Sequence, residues 1–257
     1  MGKKPRVLVV DDNFGLVETL LDILDVQGYE AVGAESALMA IAKVREQPFD
    51  VILMDIKMPG MNGVEAFKEI KKLAPETAVV MMTAHTLPEL VEEARREGAL
   101  AVLAKPLDME RLIIFLDEWR RGMPVLIVDD EGDFCRTLKD ILEGRNYRVA
   151  VAADASQAID MVATIQCDVV VLDMKLPSGD GLDVFFAIRE MSPKIAVILI
   201  TGYRQEMEKR MEEGVRNGAY SCLYKPFHVE EVLELLQAIC RRKGRELLEG
   251  SSQEGRI

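Results

Sequence analysis

The 257-residue chain has little of what marks a stapled, metal-threaded or membrane-spanning protein. Its four cysteines, Cys135, Cys167, Cys222 and Cys240, show no CxxC or zinc-like spacing and all lie in the second half. Reduced structural thiols in a cytosol are the expected reading. No apolar run approaches the roughly 20 residues that cross a bilayer. The opening MGKKPRVLVVDD has a basic lead, but its apolar run is short and ends in two acids, unlike a secretory signal. Positive charge is also in deficit. Lys and Arg number 32 against 44 Asp and Glu, a net charge of -12, so the surface field repels phosphate backbones and anionic lipid. Direct nucleic-acid and membrane partners are therefore not expected, and the protein is expected in the cytoplasm.

What is present is a globular composition, 49% hydrophobic and 30% charged, with length for one large domain or two ordinary ones. An internal repeat decides for two. Arg6-Val-Leu-Val-Val-Asp-Asp12 returns as Val125-Leu-Ile-Val-Asp-Asp130, and one offset of 118 carries Asp11 to Asp129, Asp55 to Asp173 and Thr83 to Thr201. Lys105-Pro106 maps to Lys225-Pro226 at 120, so two residues are inserted between Thr201 and Lys225. Solenoid repeats are far shorter, so this period indicates two copies of one domain. The copies are expected over residues 1–122 and 123–243, with 244–257 as a short C-terminal tail. The charge divides evenly, 15 basic and 21 acidic side chains in residues 1–122 against 17 and 23 in the rest. The join, Trp119-Arg-Arg-Gly-Met-Pro124, is too short for a flexible linker and predicts a restricted relation between the copies.

Within each copy, short β-branched apolar runs alternate with stretches of helical periodicity. The first reads as strands 6–10, 30–34, 50–54, 78–82 and 100–104, and helices 14–26, 36–46, 63–73, 88–97 and 108–120. The second repeats this from strand 124–128 to helix 228–242. Runs such as Val51-Ile-Leu-Met54 and Ile195-Ala-Val-Ile-Leu-Ile200 do not alternate polar with apolar, as expected of parallel strands covered on both faces. Five βα units per copy predict an α/β fold: two tandem doubly wound (βα)5 domains with five-stranded parallel sheets. The active crevice of such a sheet lies at the carboxyl ends of its strands.

The chemistry-bearing residues stand at those ends. Asp11 and Asp12 follow the first strand, Asp55 ends the third, Thr83 the fourth and Lys105 the fifth; Asp129, Asp130, Asp173, Thr201 and Lys225 repeat the set. Three neighbouring carboxylates repel, and Mg²⁺, which takes a few oxygen ligands and keeps waters, is their natural neutraliser. With a cation held, one carboxylate can act as nucleophile towards phosphorus, while lysine and hydroxyl hold the phosphoryl oxygens. Each piece alone is common surface or turn chemistry; the duplicated set at successive strand ends is not.

Over roughly residues 4–121 and 123–242 the chain resembles the flavodoxin-like receiver domain of two-component response regulators. The resemblance is carried by Asp11-Asp12, Asp55 with Met58-Pro59-Gly60-Met61-Asn62-Gly63, Thr83-Ala84, Gly98-Ala99 and Lys105-Pro106. In the second copy it is carried by Asp129-Asp130, Asp173 with Leu176-Pro177-Ser178-Gly179-Asp180-Gly181, Thr201-Gly202, Gly218-Ala219 and Lys225-Pro226. It implies that Asp55 and Asp173 accept phosphoryl groups from a sensor histidine kinase or phosphotransfer protein. It also implies that Asp12 with Asp55, and Asp130 with Asp173, ligate Mg²⁺ together with the backbone carbonyls of Lys57 and Lys175, while Asp11 and Asp129 act through metal-bound water. Thr83 and Thr201 would donate to the phosphoryl group, Lys105 and Lys225 would pair with it, and Ala84 and Gly202 would leave it room.

Some positions depart from the pattern. The aromatic that commonly stands three residues before the lysine is replaced by Val102 and Cys222, neither able to make the aromatic swing, although Tyr220 lies nearby. Lys57, Lys175, His85 and Tyr203 would flank the path of an attacking water, His85 blocking it, assisting it as a base, or standing in its loop without a role. Leu112-Ile-Ile-Phe-Leu116 is more continuously apolar than a one-sided surface helix needs, which leaves open contact with the other copy, an intermolecular contact or deep packing. Neither His85 nor His228, the only histidines, has a kinase-like context, and the 14 residues 244–257 are too few for an output domain. Output is then expected through a downstream protein partner, self-association or a return contact with a kinase. Two other functions fit the same residues. One is a scaffold or dimerisation protein in which a single receiver is phosphorylated, although both acidic triads are intact. The other is a Mg²⁺-dependent aspartyl-phosphate hydrolase; haloacid-dehalogenase-like phosphatases carry their two aspartates at alternate positions with a cap domain, whereas here the pair is adjacent and no cap is present.

Overall fold

The computed structural model describes residues 6–84, 88–177, 179–202 and 204–249. Contacts divide them into two units, one running to Asp117 and taking in the chain from Arg241, the other Glu118–Cys240.

The first unit alternates β1 (Arg6–Val10), α1 (Phe14–Val26), β2 (Glu30–Ala34), α2 (Ala37–Glu46), β3 (Val51–Asp55), α3 (Gly63–Leu73), β4 (Ala78–Thr83), α4 (Pro88–Arg96), β5 (Ala101–Ala104) and the start of α5 (Met109–Arg121). All five strands are parallel, in the order β2-β1-β3-β4-β5. Every residue of β3 and β4 is buried, which is why their sequences run apolar without alternation. Helix starts are set by side-chain caps. Asn13 accepts from the Leu16 amide and Ser36 from that of Met39, while Asn62 and Glu65 close a reciprocal capping box at α3.

The second unit builds the same sheet from β6 (Pro124–Val128), β7 (Arg148–Ala152), β8 (Val169–Asp173), β11 (Ala196–Thr201) and β12 (Ser221–Tyr224), in the order β12-β11-β8-β6-β7. Its helices are α6 (Gly132–Glu143), α7 (Ala155–Thr164), α8 (Gly181–Met191), α9 (Arg204–Arg216) and α10 (Val229–Glu249). Alternate strand residues supply two cores. Leu126, Val128, Val170, Leu172, Val197 and Leu199 pack on one face, and Val125, Ile127, Val169, Val171, Ile198 and Ile200 on the other. The doubly wound (βα)5 expectation holds for both copies.

Two features differ from the sequence reading. Helix α10 continues past Arg242 to Glu249, with Leu248 buried, where a tail from residue 244 was expected. The loop after β8 also contains a two-residue antiparallel ladder, β9 (Lys175–Leu176) against β10 (Gly179–Asp180). In α5, Leu112, Phe115 and Leu116 are buried while Ile114 is exposed.

Candidate phosphoacceptor sites

Register brings the strand ends together. Val10 pairs with Met54, so Asp11 and Asp12 leave β1 beside Asp55; Thr83 pairs with Ala104, so Lys105 leaves β5 beside Thr83. The Lys105 amide donates to the Thr83 carbonyl at 2.8 Å and the Lys225 amide to that of Thr201 at 2.8 Å, fixing both lysines at the crevice. Both Lys-Pro bonds are cis. Glycine is required where α3 starts: a Cβ on Gly63 would run into the carbonyl oxygen of Asp55, and one on Gly181 into that of Asp173. The same glycine amides donate to Ile56 and Met174, clamping each helix start against the strand that carries the acid.

Among the described residues the buried polar or charged side chains are six: Asp11, Asp55, Thr83, Asp129, Asp173 and Thr201. A protein core excludes such groups unless they are paired, and each unit holds two acids and a threonine of the predicted set. Lys105 Nζ lies 2.5 Å from Asp11 Oδ2 and 2.8 Å from Asp55 Oδ1. Lys225 Nζ lies 2.6 Å from Asp129 Oδ2 and 2.8 Å from Asp173 Oδ2. Asp12 and Asp130, the next residue in each chain segment, are exposed. In the first unit, oxygens of Asp11, Asp12 and Asp55 all lie within 4.8 Å of one another. Further order comes from backbone donors: the Asn13 amide to Asp11 at 3.0 Å, Glu131 to Asp129 at 2.9 Å and Lys175 to Asp173 at 2.9 Å.

The electrostatics are those of a crowded acidic crevice. Burial pushes the Asp55 carboxyl above its ordinary range against the pull of Lys105, with Asp11 and Asp12 adding to the rise. Burial likewise raises Asp129, opposed by Lys225. Burial alone would lower both lysines, but hydrogen bonds to Asp11 and Asp55, and to Asp129 and Asp173, carry them above the usual value. One ammonium thus offsets only part of the local negative charge, and the remaining all-oxygen donor set suits a hard divalent cation.

Around this shared plan the sites differ. Val102 packs against the core on the α2–α3 side, and Cys222 packs with the core containing Met211 on α9. Tyr220 joins the opposite core, so it does not stand in for an aromatic at 222. Met211, Val215, Cys222 and Tyr224 line a groove of about 400 Å³ between α9 and β12. His85 and Tyr203, expected beside the water path, lie outside the described residues, while Lys57 and Lys175 expose their side chains at the crevice loops. His228 opens α10, its amide donating to Glu231 Oε1 at 2.9 Å, a capping role.

The sequence reading did not single out Phe134. Its ring centroid lies 4.6 Å from Lys225 Nζ and meets Phe227 edge-on at 5.9 Å and 84°. Phe134 lies in the first turn of α6 and Lys225 directly after β12, 91 residues apart, so only the folded sheet brings them together.

Comparison with known proteins agrees with this geometry. The family model described as "Response regulator receiver domain" matches twice, at residues 7–117 and 125–237. A response regulator receiver protein of Anaeromyxobacter sp. (strain Fw109-5) is 32% identical over 239 residues, covering 93% of this chain and 97% of its own. The chemotaxis protein CheY of Thermotoga maritima is 38% identical over 119 residues, 46% of this chain and 98% of its own. The sporulation initiation phosphotransferase F of Bacillus subtilis is 33% identical over 107 residues, 42% and 86% respectively. No described helix is long and apolar enough to cross a membrane. With two matches along one chain and two crevices of the same design, the protein belongs to the response regulator receiver family and carries two receiver domains in tandem.

Proposed function

We propose that the chain is a two-component phosphoacceptor regulator that takes phosphoryl groups on Asp55 and Asp173 and signals through protein contacts in the cytoplasm. The observation that carries this is the duplicated buried set: acids held at the ends of β1, β3, β6 and β8, with a threonine and a doubly bonded lysine beside each acceptor. A lone buried carboxylate is a liability in a fold, whereas one poised beside a cation and a hydroxyl is a nucleophile.

The acceptor carboxylate oxygen attacks phosphorus while the bond from phosphorus to the donor's imidazole nitrogen breaks, and that nitrogen keeps the electron pair. Lys105 or Lys225, already within hydrogen-bond reach of the acceptor, then pairs with a phosphoryl oxygen. Thr83 or Thr201 donates its hydroxyl to the same group. Asp11, Asp12 and Asp55, with the Lys57 carbonyl, would hold Mg²⁺ in the first receiver; Asp129, Asp130 and Asp173, with the Lys175 carbonyl, would hold it in the second. A divalent cation held there would supply charge neutralisation for the phosphoryl oxygens beside the carboxylates. The product adds about −1.5 to −2 charge at a strand end, which pulls the threonine inward and re-poses the following loop and helix. The kinase or phosphotransfer donor, and the downstream partner or second copy that reads the change, meet this edge and the adjoining helices.

Labelling with acetyl phosphate and Mg²⁺ tests the proposal. The expected product is sensitive to hydroxylamine, as an acyl phosphate must be, maps to Asp55 and Asp173, and is not formed in the presence of EDTA. Hydroxylamine-resistant label, or label elsewhere, would contradict it. A phosphatase reading would require steady release of phosphate from an ester in excess over protein.

A further inference from the structure

The receivers share acids, threonine and lysine but differ in what stands behind the lysine. In the second, the Phe134 ring lies 4.6 Å from the Lys225 ammonium and is braced edge-on by Phe227. Both rings are half-buried and rest on the core that contains Val125, Ile127 and Leu138. In the first, the corresponding residues are Leu16 and Leu107, side chains with no π face to offer a cation. Lys225 is thus gripped by Asp129, by Asp173 and by an aromatic face, with Glu131 at 3.9 Å on the exposed side; the residue matching Glu131 in the first receiver is the uncharged Asn13.

The grip matters because Lys225 has competing carboxylates. It must turn to the phosphoryl oxygens on Asp173 while Asp129 and Glu131 draw it away. A ring face attracts an ammonium without supplying a formal negative charge, so it limits where the lysine can go and leaves its N–H groups for oxygen. We infer that Phe134 is a positioning residue of the second receiver, holding Lys225 over Asp173 so that this site is phosphorylated faster than it would be with the first receiver's leucine. This rests on the proposed acceptor role of Asp173.

The test uses the full chain with Asp55→Asn, so that only Asp173 reports, and compares Phe134, Phe134→Leu and Phe134→Tyr. Labelling by acetyl phosphate with Mg²⁺ is followed by intact mass. The side-chain ¹H–¹⁵N and ¹H–¹³C signals of Lys225 are recorded without phosphodonor. Phe134→Leu is expected to slow labelling roughly twofold to thirtyfold, the span of one cation–π contact, and to abolish the upfield ring-current shift of the Lys225 methylene and ammonium protons. Phe134→Tyr, which keeps the ring, is expected to retain both. Unchanged labelling in Phe134→Leu, or equal loss in Phe134→Tyr, would overturn the role, as would the lack of a ring-current shift in the parent. If Asp173 takes no label in any variant, the acceptor assignment fails instead, and the Lys225 shift still decides whether the ring holds the lysine.

Discussion

At the scale of the residue, the proposed acceptor of the first receiver is kept at the fold's expense. Asp55 has its pKa raised chiefly by burial, so its ionised form is the one the folded state disfavours. Its contribution is therefore favourable below the ordinary value of 3.8 and is lost as pH rises through the higher folded value. Asp55→Asn should then be more stable than wild type at neutral pH without metal, by on the order of 1 kcal/mol. The gap should close as the medium falls below about pH 4. Urea unfolding at the two pH values checks this, and equal stability at neutral pH would contradict it.

Asp12 makes a complementary case because it is exposed. Asp12→Ala should change metal-free stability by less than about 0.5 kcal/mol. If Asp12 ligates Mg²⁺, however, the variant must lose part of the metal's protection of the first receiver. That protection is worth about 2.7 kcal/mol at a hundredfold excess over Kd. Thermal unfolding with and without Mg²⁺, in an Asp130→Ala background that silences the second site, separates the two effects. Equal protection of both proteins would remove Asp12 from the ligand set.

At the scale of the element, the clamp between α3 and β3 is the most demanding contact at the site. Gly63→Ala would place a methyl group against the Asp55 carbonyl, and neither backbone can retreat without moving the acceptor. A loss of roughly 2 to 4 kcal/mol is expected, read as a lower urea midpoint together with slower labelling of Asp55. Tolerance of the methyl group would show that the helix start is free to shift. Elements of this kind were legible in sequence because burial on both faces forces continuous apolar strands, and polar caps mark helix starts. Strands came within a residue of their observed limits for β1 to β5. Legibility failed where local pattern carries no signal. The β9–β10 ladder is too short for a period, and residues from 244 read as a tail although α10 runs on to Glu249.

At the scale of the whole molecule, duplication made the candidate sites readable: in sequence, Asp55 or Lys105 alone reads as ordinary strand-end or turn chemistry, and the recurrence of the whole set is what distinguishes it. Duplication could not show how the copies differ. The pairing of Phe134 with Lys225 joins residues far apart in the chain, and the packing of Tyr220 and Cys222 into opposite cores depends on the folded sheet. Two complete acid, threonine and lysine sets predict two acceptors. The most direct test is to count phosphoryl groups by intact mass after incubation with acetyl phosphate and Mg²⁺, comparing wild type, Asp55→Asn, Asp173→Asn and the double variant. Two additions in wild type, one in each single variant and none in the double are predicted. A single addition that disappears with only one of the substitutions would contradict two working receivers and leave the other copy as a docking domain.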